Sequence, residues 1–195
     1  MKNLKALLFT FLLVAIATSC TYAQKNVITT KTYPVSSFST IKSDAVANVI
    51  FTKSNTVGVR AEGDKELVDN LKVSVNQDVL KINHNDKINT KKKKKLTIYI
   101  NSPSIKEIEA EGVGNWELRG KIKEDALKID FEGVGNFQAL ELETKNLKAD
   151  YEGVGNLTLG GTTNFVELKS EGVGRIDTQK LIAKKAIISS SGVEV

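Results

Sequence analysis

Cysteine is nearly missing from this chain: 195 residues hold one, Cys20, together with one histidine, one tryptophan and two prolines. A fold without paired cysteines has no disulfide framework, so packing and backbone pairing must hold it together. The lone histidine, His84, reads as part of a polar loop. It withholds support from a histidine-ligated metal site and from a Ser-His-Asp triad. Beyond residue 17 no apolar run is long enough to span a bilayer as a helix. A hydrophobic content of 41% with 26% charge excludes a disordered chain and suits one domain with a real core. Basic character is confined as well. The lysines at 91–95 alone match the formal charge of +5, so the rest of the chain is close to balanced.

What is present begins with an export pattern. Lys2 and Lys5 precede the apolar run ALLFTFLLVAIA at 6–17, followed by TSCTYAQ. Residues 1–23 read as a secretory signal peptide cut after Ala23, too short to serve as a permanent anchor. The alternative is lipoprotein cleavage before Cys20, which would leave lipid on that cysteine. Ala17, where such a box prefers leucine, departs from that pattern. Residues 24–195 then form a single domain in the periplasm, at the outer membrane or cell surface, or outside the cell. A lipidated Cys20 would be its only tie to a membrane.

The second pattern is a repeat. EGVGN stands at 111–115, 132–136 and 152–156, EGVGR at 171–175, and SGVE at 191–194. The first glycines of these blocks are 21, 20, 19 and 20 residues apart. Around them the chain alternates with period two. Leu127, Ile129, Phe131, Gly133, Gly135 and Phe137 share one parity, and corresponding positions in the other copies are similarly apolar or small. The opposite parity holds mostly Lys, Asp, Glu, Val and Asn. A coil of about twenty residues cannot close a core alone and must stack on its neighbours by parallel strand pairing. The expected fold is all-β, a parallel β-solenoid with repeats over about 103–195. Trp116, Phe137, Leu157 and Ile176 would form one interior stack. An earlier copy, with Ile41, Ser43, Ala45, Ala47, Val49 and Phe51 inward, carries alanine for both glycines, so the site asks for smallness as well as backbone freedom. The less regular region between is an insert. It holds strands at 56–63 and 95–101, a short helix at 64–71, and a hairpin of LKVSV and VLKIN around Asn76–Asp78.

The exported start, the SDAVAN segment at 43–48, the VLKIN hairpin and the EGVGN blocks resemble the autotransporter adhesin head GIN domain family over about residues 35–195. The resemblance implies a right-handed β-helix-like fold in an exported or surface protein. It carries no catalytic residues with it. Relatives continue beyond the last glycine block with further strands. The stop at Val195 therefore reads either as missing sequence or as an oligomer contact, because a bare solenoid end leaves unpaired strand edges.

Three outward features are candidate sites. Glu111, Glu132, Glu152 and Glu171 would stack as an acidic ladder, either binding a cation such as calcium or lying on a solvated face offset by Lys106, Lys128 and Lys148. Val113, Val134, Val154 and Val173 would form an apolar stripe for a partner, unless the G-V-G segments bend them inward. Asn115, Asn136, Asn156 and Arg175 follow, the amides hydrogen-bonding along the stack. Lys91, Lys92, Lys93, Lys94 and Lys95 form either an anion-binding run or a solvated loop. No aromatics interleave with them, which argues against nucleic acid. No cofactor is implied. The acid pairs Asp130 with Glu132 and Asp150 with Glu152 recur in successive coils, as surface does, rather than marking one site. The expectation is a non-enzymatic adhesin-like module that binds polysaccharide or cell-surface components, with homo-oligomers open. The competing reading is a carbohydrate-active β-helix enzyme of lyase or glycosidase type.

Overall fold

The computed structural model describes residues 28–85 and 95–193. The signal peptide with Cys20, and Lys91–Lys94, lie outside the described residues. Wherever the chain alternates with period two it forms strand. The elements are β1 (Ile28–Tyr33), β2 (Thr40–Asp44), β3 (Asn48–Lys53), β4 (Gly58–Asp64), α1 (Lys65–Asp69), β5 (Leu71–Asn76), β6 (Val79–His84), β7 (Leu96–Ser102), β8 (Glu107–Val113), β9 (Trp116–Arg119), β10 (Ile122–Val134) and β11 (Phe137–Val193). They make one eleven-stranded, mostly parallel sheet in the order β1-β4-β7-β3-β9-β11-β10-β8-β2-β6-β5.

That order describes two wings joined through β11. In one wing β6, β2, β8, β10 and β11 pair in parallel, with Ile41 beside Ile108, Ile108 beside Ile129, and Ile129 beside Ala149. In the other, Val49 pairs with Trp116 and Trp116 with Phe137. The chain crosses between wings at Ala45–Ala47 and at the glycine-valine-glycine segments. Like residues meet like residues, and the inward side chains are buried as far as Leu168; Trp116, Phe137 and Leu157 are core, whereas Ile176, expected to continue their stack, is only partly buried. The backbone of β11 is extended for 57 residues, which would reach ~190 Å if straight. Instead it folds over itself. Gly172 lies against Gly153 and Gly192 against Gly172, and the Thr144 and Thr163 hydroxyls meet at 2.9 Å.

The glycines answer to backbone conformation and to size together. Gly135 has φ of +154°, and a Cβ there would lie 1.9 Å from the Gly114 carbonyl oxygen on the neighbouring rung. Ala45 and Ala47 are not among the residues with positive φ. The first rung therefore passes this corner in an ordinary conformation, and the alanines there say nothing of what later rungs require.

The insert forms the base. β5 and β6 extend one wing beyond β2, and β4 and β7 with β1 extend the other beyond β3. α1 closes the space between, burying Leu67 and Val68, and the Tyr33 hydroxyl donates to the Val68 carbonyl at 3.0 Å. The hairpin turns at Gln77 and Asp78, both at positive φ, as a tight two-residue connection requires. Among the described residues no helix is long and apolar enough to cross a membrane.

Candidate functional site

Parallel, in-register pairing converts each repeated residue into a column. Val134 sits beside both Val113 and Val154. The four valines at 113, 134, 154 and 173 are 49%, 49%, 50% and 40% exposed, so the glycines beside them do not turn them inward. With rungs ~4.8 Å apart, the stripe is ~14 Å long. Apolar side chains held at this spacing form an exposed ridge.

Two polar columns flank it. Asn48, Asn115, Asn136 and Asn156 form an amide ladder. The side-chain oxygens of Asn48, Asn115 and Asn136 each accept the next rung's backbone N–H at 3.0 Å and its Nδ2–H at 2.8–3.2 Å. Arg175 takes the next place and lies 3.9 Å from Asp177. On the other side Glu111, Glu132, Glu152 and Glu171 are exposed. Lys169 bridges the last two, 2.9 Å from Glu171 and 3.8 Å from Glu152.

The lysines expected to offset this column do not face it. Lys128 binds Glu107 at 2.9 Å and Lys148 binds Glu167 at 3.0 Å. Lys106 has no ion pair among the described residues. Sequence reasoning missed Lys169, although its outward parity next to Ser170 was available as a signal. No group of three His, Cys, Asp or Glu placed to hold a metal occurs among the described residues.

A family model described as "Putative auto-transporter adhesin, head GIN domain" matches residues 37–193. The chain belongs to the head GIN domain family. Among solved structures, this head GIN domain is similar to a putative adhesin from Bacteroides fragilis NCTC 9343. The identity is 30%, the match covers 86% of this chain and 78% of that one, and the TM-score is 0.82. It shares its fold with a putative lipid binding protein from Parabacteroides distasonis ATCC 8503, at 20% identity, 87% and 82% coverage and TM-score 0.67. It also shares it with a putative adhesin from Parabacteroides merdae ATCC 43184, at 19% identity, 87% and 80% coverage and TM-score 0.59. No curated protein matches it.

The remaining candidate residues of this head GIN domain are scattered. Lys95 is exposed, and its backbone N–H donates to Asp64 Oδ2 at 2.6 Å. Asp130 and Asp150 lie 3.9 and 3.8 Å from Lys128 and Lys148. His84 is not in a loop. It ends β6, half-buried, because the hairpin carries it against the first rung, where Nε2 accepts the Val46 N–H at 3.3 Å. Its Nδ1 has no partner among the described residues.

Burial lowers the His84 pKa below the ordinary histidine value, and the Asp44 charge opposes the shift only in part. A depressed histidine pKa contributes stability that is present above the unfolded value near 6.5. That stability is lost as pH falls through the folded value. The denaturant midpoint of the native chain should therefore drop between pH 7 and pH 5 by more than that of His84→Gln. Parallel pH profiles for the two would remove His84 as the cause.

Proposed function

We propose that this domain is a non-enzymatic, exported surface-binding module of adhesin type. Its windings would form a right-handed β-solenoid whose outer corner carries the binding surface. The observation that supports this most is the valine ridge, four half-exposed apolar side chains in register between an amide ladder and an acidic one. A column with one repeat per rung suits a partner with its own repeat, such as a polysaccharide chain at a cell surface. Weak contacts made several times over supply the binding through multivalency. Export through the segment at 1–23 would bring the module to such partners.

The ridge is tested with the double variant Val134→Lys/Val154→Lys against a panel of immobilised bacterial and host polysaccharides. Both positions are exposed, so the fold tolerates the change. The native chain should bind one panel member saturably and the variant at least ~10-fold more weakly, since two buried apolar contacts become unpaired charges. Equal binding by both chains would reduce the ridge to a structural feature. Release of reducing ends from any panel member would overturn the non-enzymatic reading.

A further inference from the structure

A groove of 860 Å³ opens at the far end of the β10 strand from the valine ridge. Its floor is one outward column. Ala126 pairs in register with Asn146. Phe165 takes the next rung, because the Thr144–Thr163 and Lys148–Glu167 contacts bracket Asn146 and Phe165 on both sides with the same offset. Ala126 and Asn146 are exposed and Phe165 is half-buried. A small side chain, an amide and an aromatic ring therefore follow one another along ~10 Å. Leu127 and Leu147 beneath them face the interior and are no part of this floor. Lys106 stands beyond Ala126, where its carbonyl accepts the Lys128 N–H at 2.8 Å.

The charged walls of this groove largely satisfy one another. Glu124 is held by Lys53 at 2.7 Å, by the Ser104 hydroxyl at 3.1 Å and by the Ile105 N–H at 3.2 Å. Asp125 pairs with Lys145 at 2.9 Å. Lys123 and Lys121 both hold Glu143. Lys128 and Lys148 are engaged as described above. The floor differs. The Asn146 amide makes no side-chain hydrogen bond among the described residues, so its oxygen and its NH₂ group are both free to meet a ligand. Phe165 is an exception to the repeat, an aromatic ring at an outward place that holds Ala126 and Asn146 on the rungs before it.

We propose that this groove binds a short neutral oligosaccharide, with one pyranose ring stacked on Phe165 and the hydroxyls of its neighbour on the Asn146 amide. A sugar is the ligand class that offers both kinds of contact side by side. Its C–H face presents positive hydrogens to the negative face of an aromatic ring, and each hydroxyl both donates and accepts, as the amide does. A hydrocarbon chain would strip water from Asn146 and return no hydrogen bond. A strongly charged ligand would find walls whose cations and carboxylates already hold each other. Ala126 has no side chain long enough to block the end of the floor opposite Phe165. The site is separate from the ridge, since Ala126 and Val134 lie roughly 26 Å apart along one extended strand.

The test is calorimetric titration with the neutral trisaccharides cellotriose, mannotriose and triacetylchitotriose, and with trigalacturonate as the charged control. The variants are Asn146→Leu, which removes the amide, Phe165→Ala, which removes the ring, and Phe165→Tyr, which keeps it. Asn146 is exposed, so Asn146→Leu should hold its denaturation midpoint and keep the test decisive even where Phe165→Ala loses stability. The expected result is saturable one-to-one binding of at least one neutral trisaccharide, insensitive to added salt. Asn146→Leu and Phe165→Ala should each weaken it tenfold or more, and Phe165→Tyr should retain it. Three outcomes overturn the proposal: no neutral trisaccharide binds saturably, binding survives Asn146→Leu or Phe165→Ala, or trigalacturonate alone binds. A trisaccharide held in the groove is too short to touch the ridge, so Val134→Lys/Val154→Lys should bind it as the native chain does. Failure here and failure at the ridge are therefore separate results.

Discussion

Gly135→Ala should be among the most damaging single-methyl changes available to this fold. Two costs add there. The residue must be held at φ of +154°, a region that L-residues other than glycine enter only under strain, costing about 1–3 kcal/mol. The new methyl would also lie 1.9 Å from the Gly114 carbonyl oxygen, backbone that cannot rotate away. The rungs must part, and the pairing on both sides loosens. We expect a loss of ~4 kcal/mol or more, at the upper end for point substitutions. Two other glycines divide this loss into its parts. Gly120 has φ of +74° but open space where a Cβ would go, so Gly120→Ala carries the conformational cost alone, about 1–2 kcal/mol. Gly58 has neither problem, so Gly58→Ala should be near neutral. Urea denaturation of the three variants would rank them in that order. If Gly135→Ala proved no worse than Gly120→Ala, the rungs would not stack as tightly as described.

Phe137→Ala should follow closely. Its ring is fully buried and central to an aromatic cluster spanning successive rungs. Trp116 stacks on it at 6.3 Å between centroids and 11° between planes, and Phe131 meets it edge-on at 6.2 Å. Tyr151 stacks in turn on Phe131 at 5.1 Å and ties its hydroxyl to the Gly135 carbonyl at 2.7 Å. Removing the ring leaves a cavity facing two aromatic surfaces, Trp116 and Phe131, and such truncations cost ~3–5 kcal/mol. The denaturant midpoint should fall accordingly, and emission from Trp116, the single tryptophan, should shift to the red as its covering ring is lost. Val134→Ala, on the exposed ridge, is the control and should change neither. A loss below ~1 kcal/mol for Phe137→Ala would mean that neighbours collapse into the space, contrary to a rigid column.

The columns could be read in advance because the direction of a strand side chain is a local property. Ile129, Phe131 and Phe137 point one way and Val134 the other whatever surrounds them. The repeat then supplies the neighbours. What could not be read depends on distant parts of the chain. The helix expected over 64–71 is shorter, Lys65–Asp69, and Asp64 does not cap it with its side chain, because Asp64 Oδ2 accepts the Lys95 N–H instead. His84 looked solvated among asparagines, yet the hairpin lays it on Val46, 38 positions upstream. Lysines were the least readable. Lys128 reaches Glu107 on the neighbouring rung rather than Glu132 on its own strand, a choice made by rotamer and register, which no spacing rule encodes.

The placement of the base within the chain bears on how the molecule assembles. β2 and β3 are made early, but β6 and β7 on one side and β8 and β9 on the other come from residues 79–119. The opening stage of folding therefore has to join segments far apart in sequence, which is the slow kind of closure. Each stretch after β9 needs only to lay itself on a strand already in position, one short loop away. Assembly then runs in one direction, from a laboriously built foundation outward, with every completed layer serving as the mould for its successor.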